Sequence, residues 1–117
     1  MNLLQHLLVK LSEECSEVIK EAMKMVLFGP GDHNPDDPNK IPNLERIYKE
    51  LDDLQATIQM LNDTGFGYEP NERNILDKKV KVIKYLEYSI ARGMTERNAV
   101  YEYDACTNPN AGRGYQY

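Results

Sequence analysis

Residues 2–28 read NLLQHLLVKLSEECSEVIKEAMKMVLF, with neither proline nor glycine until Gly29 and Pro30. Leu4, Leu8, Leu11, Cys15, Val18, Ala22 and Val26 recur at steps of three and four, which places them on one side of a long helix. Outward from it, residues 29–43 read GPGDHNPDDPNKIPN, with four prolines and two glycines. Proline removes a backbone donor and glycine costs backbone entropy, so the helix stops and a loop insertion begins. Asn43 is positioned to cap a second helix to about residue 62, with Leu44, Ile47, Leu51, Leu54, Ile58 and Leu61 on one face. Asp63-Thr-Gly-Phe-Gly breaks it. Asn71 caps a third helix through about Arg92, ending at Gly93, with Ile75, Leu76, Val82, Ile83, Leu86 and Ile90 as its apolar side. Thr95 and Glu96 open a short fourth helix to about Tyr103, and residues 105–117 form a polar tail.

No segment alternates with the period of two that marks a strand, so the predicted class is all-α, one domain over residues 1–104. Apolar faces this long on 117 residues bury more by pairing with further copies, and we expect a homodimer or homotetramer whose core oligomerisation completes. Hydrophobic residues are 41% and charged ones 28%, too much apolar material for disorder. No apolar run approaches the ~20 residues of a membrane helix. The N-terminal pattern, interrupted by His6 and Lys10, does not read as a signal peptide, so the expected location is cytoplasmic. The two cysteines, Cys15 and Cys106, form no Cys-x-x-Cys or zinc spacing. Asp and Glu number 19 against 14 Lys and Arg, a net charge of -5. That excess disfavours a nucleic-acid binder, which needs a basic stripe to release counterions.

The placement of the acids is more informative than their number. At about 100° per residue from Lys10, Glu14 falls near 40°, Glu17 near 340° and Glu21 near 20°. The acidic stripe borders the apolar side instead of opposing it. From Glu50 on the second helix, Asp53 falls near 300° and Thr57 near 340°, while Leu54, Ile47 and Ile58 fill about 40° to 80°. Each helix therefore brings two carboxylates, three residues apart, to the edge of a surface that must be buried. Unpaired, they would repel and resist ionisation. A hard divalent cation with oxygen ligands resolves both problems, and Mg²⁺ keeps waters for a phosphate substrate. An acidic run on one helix is ordinarily a solvated face with lysine partners such as Lys10, Lys20 and Lys24; the matched pair on two helices favours the metal. On the third helix Lys79 lies amid Ile75, Leu76, Ile83, Leu86 and Ile90, where it either snorkels out or reaches the carboxylates and a phosphate.

Glu13-Glu14-Cys15-Ser16-Glu17 reads as EExxE and Glu50-Leu51-Asp52-Asp53 as ExxD. As a pair on two helices, these motifs resemble the signature of the MazG-like all-α nucleoside triphosphate pyrophosphohydrolases, over about residues 3–92. The resemblance implies a helical bundle and Mg²⁺-dependent cleavage of a nucleotide between its α and β phosphates, with Mn²⁺ able to substitute. It maps metal ligation to Glu14, Glu17, Glu50 and Asp53 and phosphate contact to Lys10 and Lys79; Glu13 matches the first motif position, but its angle near 300° turns it from the core, leaving it either to support the ligands indirectly or to orient water. The chain departs from the family pattern in its long gap from Glu17 to Glu50 and in having Ile83, not arginine, one turn after Lys79. Phosphate binding is then expected to draw on Lys78 or Lys81, and His33 in the loop to touch base or sugar. The Gly-Asp-His-type loop resembles that of compact phage-encoded relatives, which implies nucleotide-pool control in a host cytoplasm.

The substrate expected is a nucleoside triphosphate, with a lean toward a purine deoxynucleotide such as dGTP or dATP. The same fold could instead serve phosphoribosyl-ATP, dUTP or dCTP. A non-catalytic helical module whose acidic faces bind a basic partner is the alternative from another class. A di-iron carboxylate bundle needs Glu-x-x-His on two helices, and neither His6 nor His33 follows a glutamate by three.

Overall fold

The structure, a computed structural model, describes residues 1–97. Within them lie three helices, α1 (Leu3–Phe28), α2 (Asn43–Asp63) and α3 (Glu72–Ala91), and no strand, only an isolated antiparallel bridge between His33 and Pro42. The described part is thus all-α, as the periodicities predict. No helix in it is long and apolar enough to cross a membrane. The chain divides into two compact units, Met1–Tyr68 and a second beginning at Glu69.

The first unit is an antiparallel hairpin of α1 and α2. Asn2 opens α1 with a reciprocal cap: Gln5 N–H donates to Asn2 Oδ1 at 2.8 Å, and Asn2 N–H donates to Gln5 Oε1 at 2.8 Å. Gly29 ends it at φ +86°, a left-handed value that costs glycine little, and its N–H donates to Met25 O. The proline-rich loop then folds around one carboxylate. Asp37 Oδ1 accepts from Asn39 N–H at 2.9 Å, and Oδ2 accepts from Ile41 N–H at 3.0 Å and from Arg46 Nη2 at 2.6 Å. Those two backbone donors, and then Arg46, hold the Asp37 carboxyl below its ordinary range.

Asn43 does not cap α2. Pro42 occupies that position and supplies no side-chain cap, while Asn43 is the first helical residue. Its side chain is buried and committed elsewhere: Nδ2 donates to Gly29 O at 2.9 Å and its N–H to Asp32 O at 2.8 Å, tying both ends of the loop together. Asn71 does cap α3, accepting from Asn74 N–H at 2.9 Å. Beyond Arg92 the chain turns. Arg97 grips Glu87 with two bonds of 3.0 and 2.6 Å, and Ser89 and Thr95 share a hydroxyl bond of 2.6 Å. Thr95 and Glu96 are not helical; the remainder of the expected fourth helix, Cys106 and the polar tail lie outside the described residues.

The docking edge of α1 differs from its richest apolar side. Among the described residues, Leu7 and Leu61 are the buried hydrophobics, joined by Glu21, Asn43 and Thr57. Leu7 and Glu21 lie near 60° and 20° on the α1 wheel, the same arc as Glu14. So α2 lies along the acidic edge, and Leu4, Leu8 and Val26 stay exposed at 38%, 37% and 78%. Burying carboxylates while leaving leucines in solvent is costly unless something else acts on both surfaces.

Candidate metal centre

The hairpin brings Glu14 of α1 against Glu50 and Asp53 of α2, one carboxylate oxygen from each lying within 4.8 Å of the others. All three residues are half-buried. The exact spacing on each helix explains the meeting. Glu50 and Asp53 are three apart and share one side of α2, and Glu14 lies in the arc of α1 that packs there. Thr57 is buried one turn further along, where its hydroxyl donates to Asp53 O at 3.0 Å.

Electrostatics reinforce this geometry. Burial pushes the Glu50 carboxyl above its ordinary range; Asp53, Glu17 and Glu14 push it further, against an opposing pull from Lys49. Lys49 is the local counter-ion. Its Nζ donates to Asp53 Oδ2 at 2.6 Å, and that bond, with the nearby Glu50 and Glu14 charges, raises the ammonium's pKa. Lys49 sits four residues before Asp53, an i,i+4 spacing present in the sequence but overshadowed there by the acids themselves.

Glu17 is not among the three converging carboxylates. It stays half-buried within electrostatic reach of Glu50 and pairs with Lys20 at 3.6 Å. Glu13 is exposed and accepts from Lys10 Nζ at 2.6 Å, a bond that raises the lysine's pKa. Lys10 itself is half-buried. His33 lies in the loop, half-buried, with its N–H on Asp32 Oδ1 at 2.8 Å. Lys78, Lys79 and Lys81 run along α3 in the second unit, all exposed, and α3 buries no residue. Glu21 carries the least expected environment. Its Oε1 accepts from Lys24 Nζ at 3.3 Å, and its buried Oε2 has no hydrogen-bond partner among the described residues.

The donor set fits a hard divalent cation. Two oxygens on one Mg²⁺ at ~2.1 Å, or one Ca²⁺ at ~2.4 Å, stand at most about 4 to 5 Å apart, so a small rotamer change closes the trio on an ion. Three carboxylates against Lys49, with Lys10 in electrostatic reach of Glu14, leave excess negative charge, and none of the three is a nitrogen or sulfur ligand that would select zinc. Comparison of the chain with known protein families, with curated proteins and with solved structures finds no match.

Proposed function

We propose that this chain is a metal-dependent nucleotide pyrophosphohydrolase of the MazG-like kind. It cleaves a nucleoside triphosphate to the monophosphate and pyrophosphate, with a lean toward a purine deoxynucleotide. The observation that carries this reading is the convergence of Glu14 with Glu50 and Asp53, because it joins the EExxE and ExxD motifs across two helices. The helical hairpin supports it, and the bundle of this reading is completed by oligomerisation as a homodimer or homotetramer.

In this reading Glu14, Glu50 and Asp53 hold Mg²⁺, or Mn²⁺ in its place, with Glu17 joining from the next turn of α1. The bound ion supplies charge neutralisation on the phosphates and acidifies water. The chain's own groups do the rest. Lys10 contacts phosphate, and Glu13, its hydrogen-bond partner, orients the attacking water and accepts its proton. Lys79, with Lys78 and Lys81, is assigned phosphate contact by the motif resemblance alone, and His33 in the loop the base or sugar. Water attacks the α phosphorus in line, the α–β bridging oxygen departs with its electron pair, and pyrophosphate leaves.

A panel of NTPs and dNTPs incubated with and without Mg²⁺ tests this, with products resolved by chromatography. The expected result is monophosphate plus pyrophosphate, metal-dependent and reduced at least 100-fold by Glu50→Gln or Glu14→Gln. Glu45→Gln, an exposed acid away from the trio, leaves turnover unchanged. No turnover of any nucleotide, or release of orthophosphate alone, overturns the proposal. Equal effects of Glu14→Gln and Glu45→Gln would instead indicate a charge-driven binding module.

A further inference from the structure

Helix α1 carries a second, open surface beside the arc that meets α2. Leu4, Leu8, Cys15, Ile19 and Val26 are exposed along it, with Leu11 and Ala22 half-buried at its margin. These seven residues occupy about 100° to 180° on the helical wheel measured from Lys10. The steps between them run four, three, four, four, three, four, the same from either end, and Cys15 is the midpoint. A surface with that symmetry is complementary to itself under a two-fold axis.

We infer that α1 docks antiparallel on α1 of a second copy through this stripe. Residue i then meets residue 30 − i: Leu4 packs on the partner's Val26, Leu8 on the partner's Ala22, Leu11 on the partner's Ile19, and Cys15 on the partner's Cys15. The steps four, three, four repeat twice, an eleven-residue spacing that stays on one side of a nearly straight helix, and the stripe is about 33 Å long at 1.5 Å per residue. Tyr48 and Leu51, 47% and 41% exposed, extend the open side from α2. Together the exposed parts of these side chains amount to on the order of 600 Å² a copy, close to the ~800 Å² per partner of a standard interface. Ile19 at 64% and Val26 at 78% exposed contribute most. Cys15 opposite itself lets the helices approach closely at the centre, and small Ala22 accommodates Leu8 about 10 Å to either side. The surface is separate from the carboxylate edge, so this inference stands or falls independently of the catalytic reading.

The test uses the full chain carrying Cys106→Ser, in which Cys15 is the sole thiol. At tens of micromolar, a short bismaleimide is expected to link most of it as Cys15–Cys15 dimers, and sedimentation to report twice the 13.5 kDa chain mass. Ile19→Glu, a substitution at an exposed position whose helicity is checked by circular dichroism, lowers the cross-linked yield at least tenfold and sediments as the monomer. Register is read with Leu8→Cys in a background lacking both native cysteines. Position 8 stands about 21 Å from its own copy, so that variant does not link to itself, whereas adding Ala22→Cys restores linkage. A monomer, a dimer without the Cys15 link, self-linkage of Leu8→Cys, or a dimer indifferent to Ile19→Glu each overturns the proposal, the last two in favour of a parallel pairing or of another surface such as α3.

Discussion

Glu50 shows how a single carboxyl reports on its neighbours. Its pKa is raised by burial first and by Asp53, Glu17 and Glu14 after that. A carboxyl raised on folding contributes stability that is fully present below its unfolded value, near 4.5, and is lost as pH rises through the folded value. Ionised Glu50 therefore weakens the metal-free hairpin at neutral pH. Glu50→Gln, which cannot ionise, is expected to match the wild type near pH 4 and to melt roughly 2–4 °C higher near pH 7 in a chelating buffer, since each kcal/mol moves the midpoint of a domain this size by ~4–8 °C. Scanning calorimetry across pH checks the sign, and a lower midpoint for Glu50→Gln at pH 7 would contradict it. The acids of this edge were legible in the sequence because the wheel is simple arithmetic. The Asp37 hub was not, because Asn39, Ile41 and Arg46 meet its carboxylate only when the loop closes, and the burial of Glu21 follows from which arc α2 covers, which periodicity does not encode.

At the scale of elements, the three helices could be read almost to the residue. Breakers stand at both ends of each: Asn2 and Gly29, the prolines before Asn43 and Gly65 after it, Asn71 and Gly93. The cap of α2 is where the structure departs from that reading, for a physical reason. Asn is a favoured cap, yet here its amide satisfies a carbonyl fourteen residues back, a demand that only the closed loop creates. Asn43→Ala would leave Gly29 O without that donor, at a cost of about 1–2 kcal/mol in urea unfolding. Hydrogen exchange should then rise first at the Asn39 and Ile41 amides held by Asp37, with the midsection of α1 little changed. Uniform loss of protection along α1 would show that Asn43 supports the whole hairpin and not its loop.

For the whole molecule, the net charge of -5 and the trio lead to a measurable linkage. An ion that binds the folded hairpin alone stabilises it by RT ln(1 + [L]/Kd), about 2.7 kcal/mol at one hundred times Kd. Mg²⁺ or Mn²⁺ is expected to raise the unfolding midpoint of the wild type and of Glu45→Gln, and to leave Glu14→Gln where it was. Identical shifts in all three would assign the effect to general screening of an acidic chain. The expectation from the sequence that further copies complete the core carries no side with it, because two apolar arcs on α1 compete. Which one α2 takes is decided by its own arrangement of Asn43, Thr57 and Leu61, and the more leucine-rich arc is the one left open.

The hairpin is joined at one end by the loop and packed beyond the trio through Leu7, Thr57 and Leu61, so the two halves of the carboxylate set belong to separate arms. That makes it a pair of tweezers, and reciprocity governs tweezers. Whatever favours the closed arms tightens the grip on an ion by the same factor by which the ion favours closure. In the proposed reading, the Asp37 hub, placed far along the chain from Glu14, would contribute to ion affinity without touching the ion, and Asp37→Ala is expected to weaken the Mg²⁺-induced rise in the unfolding midpoint.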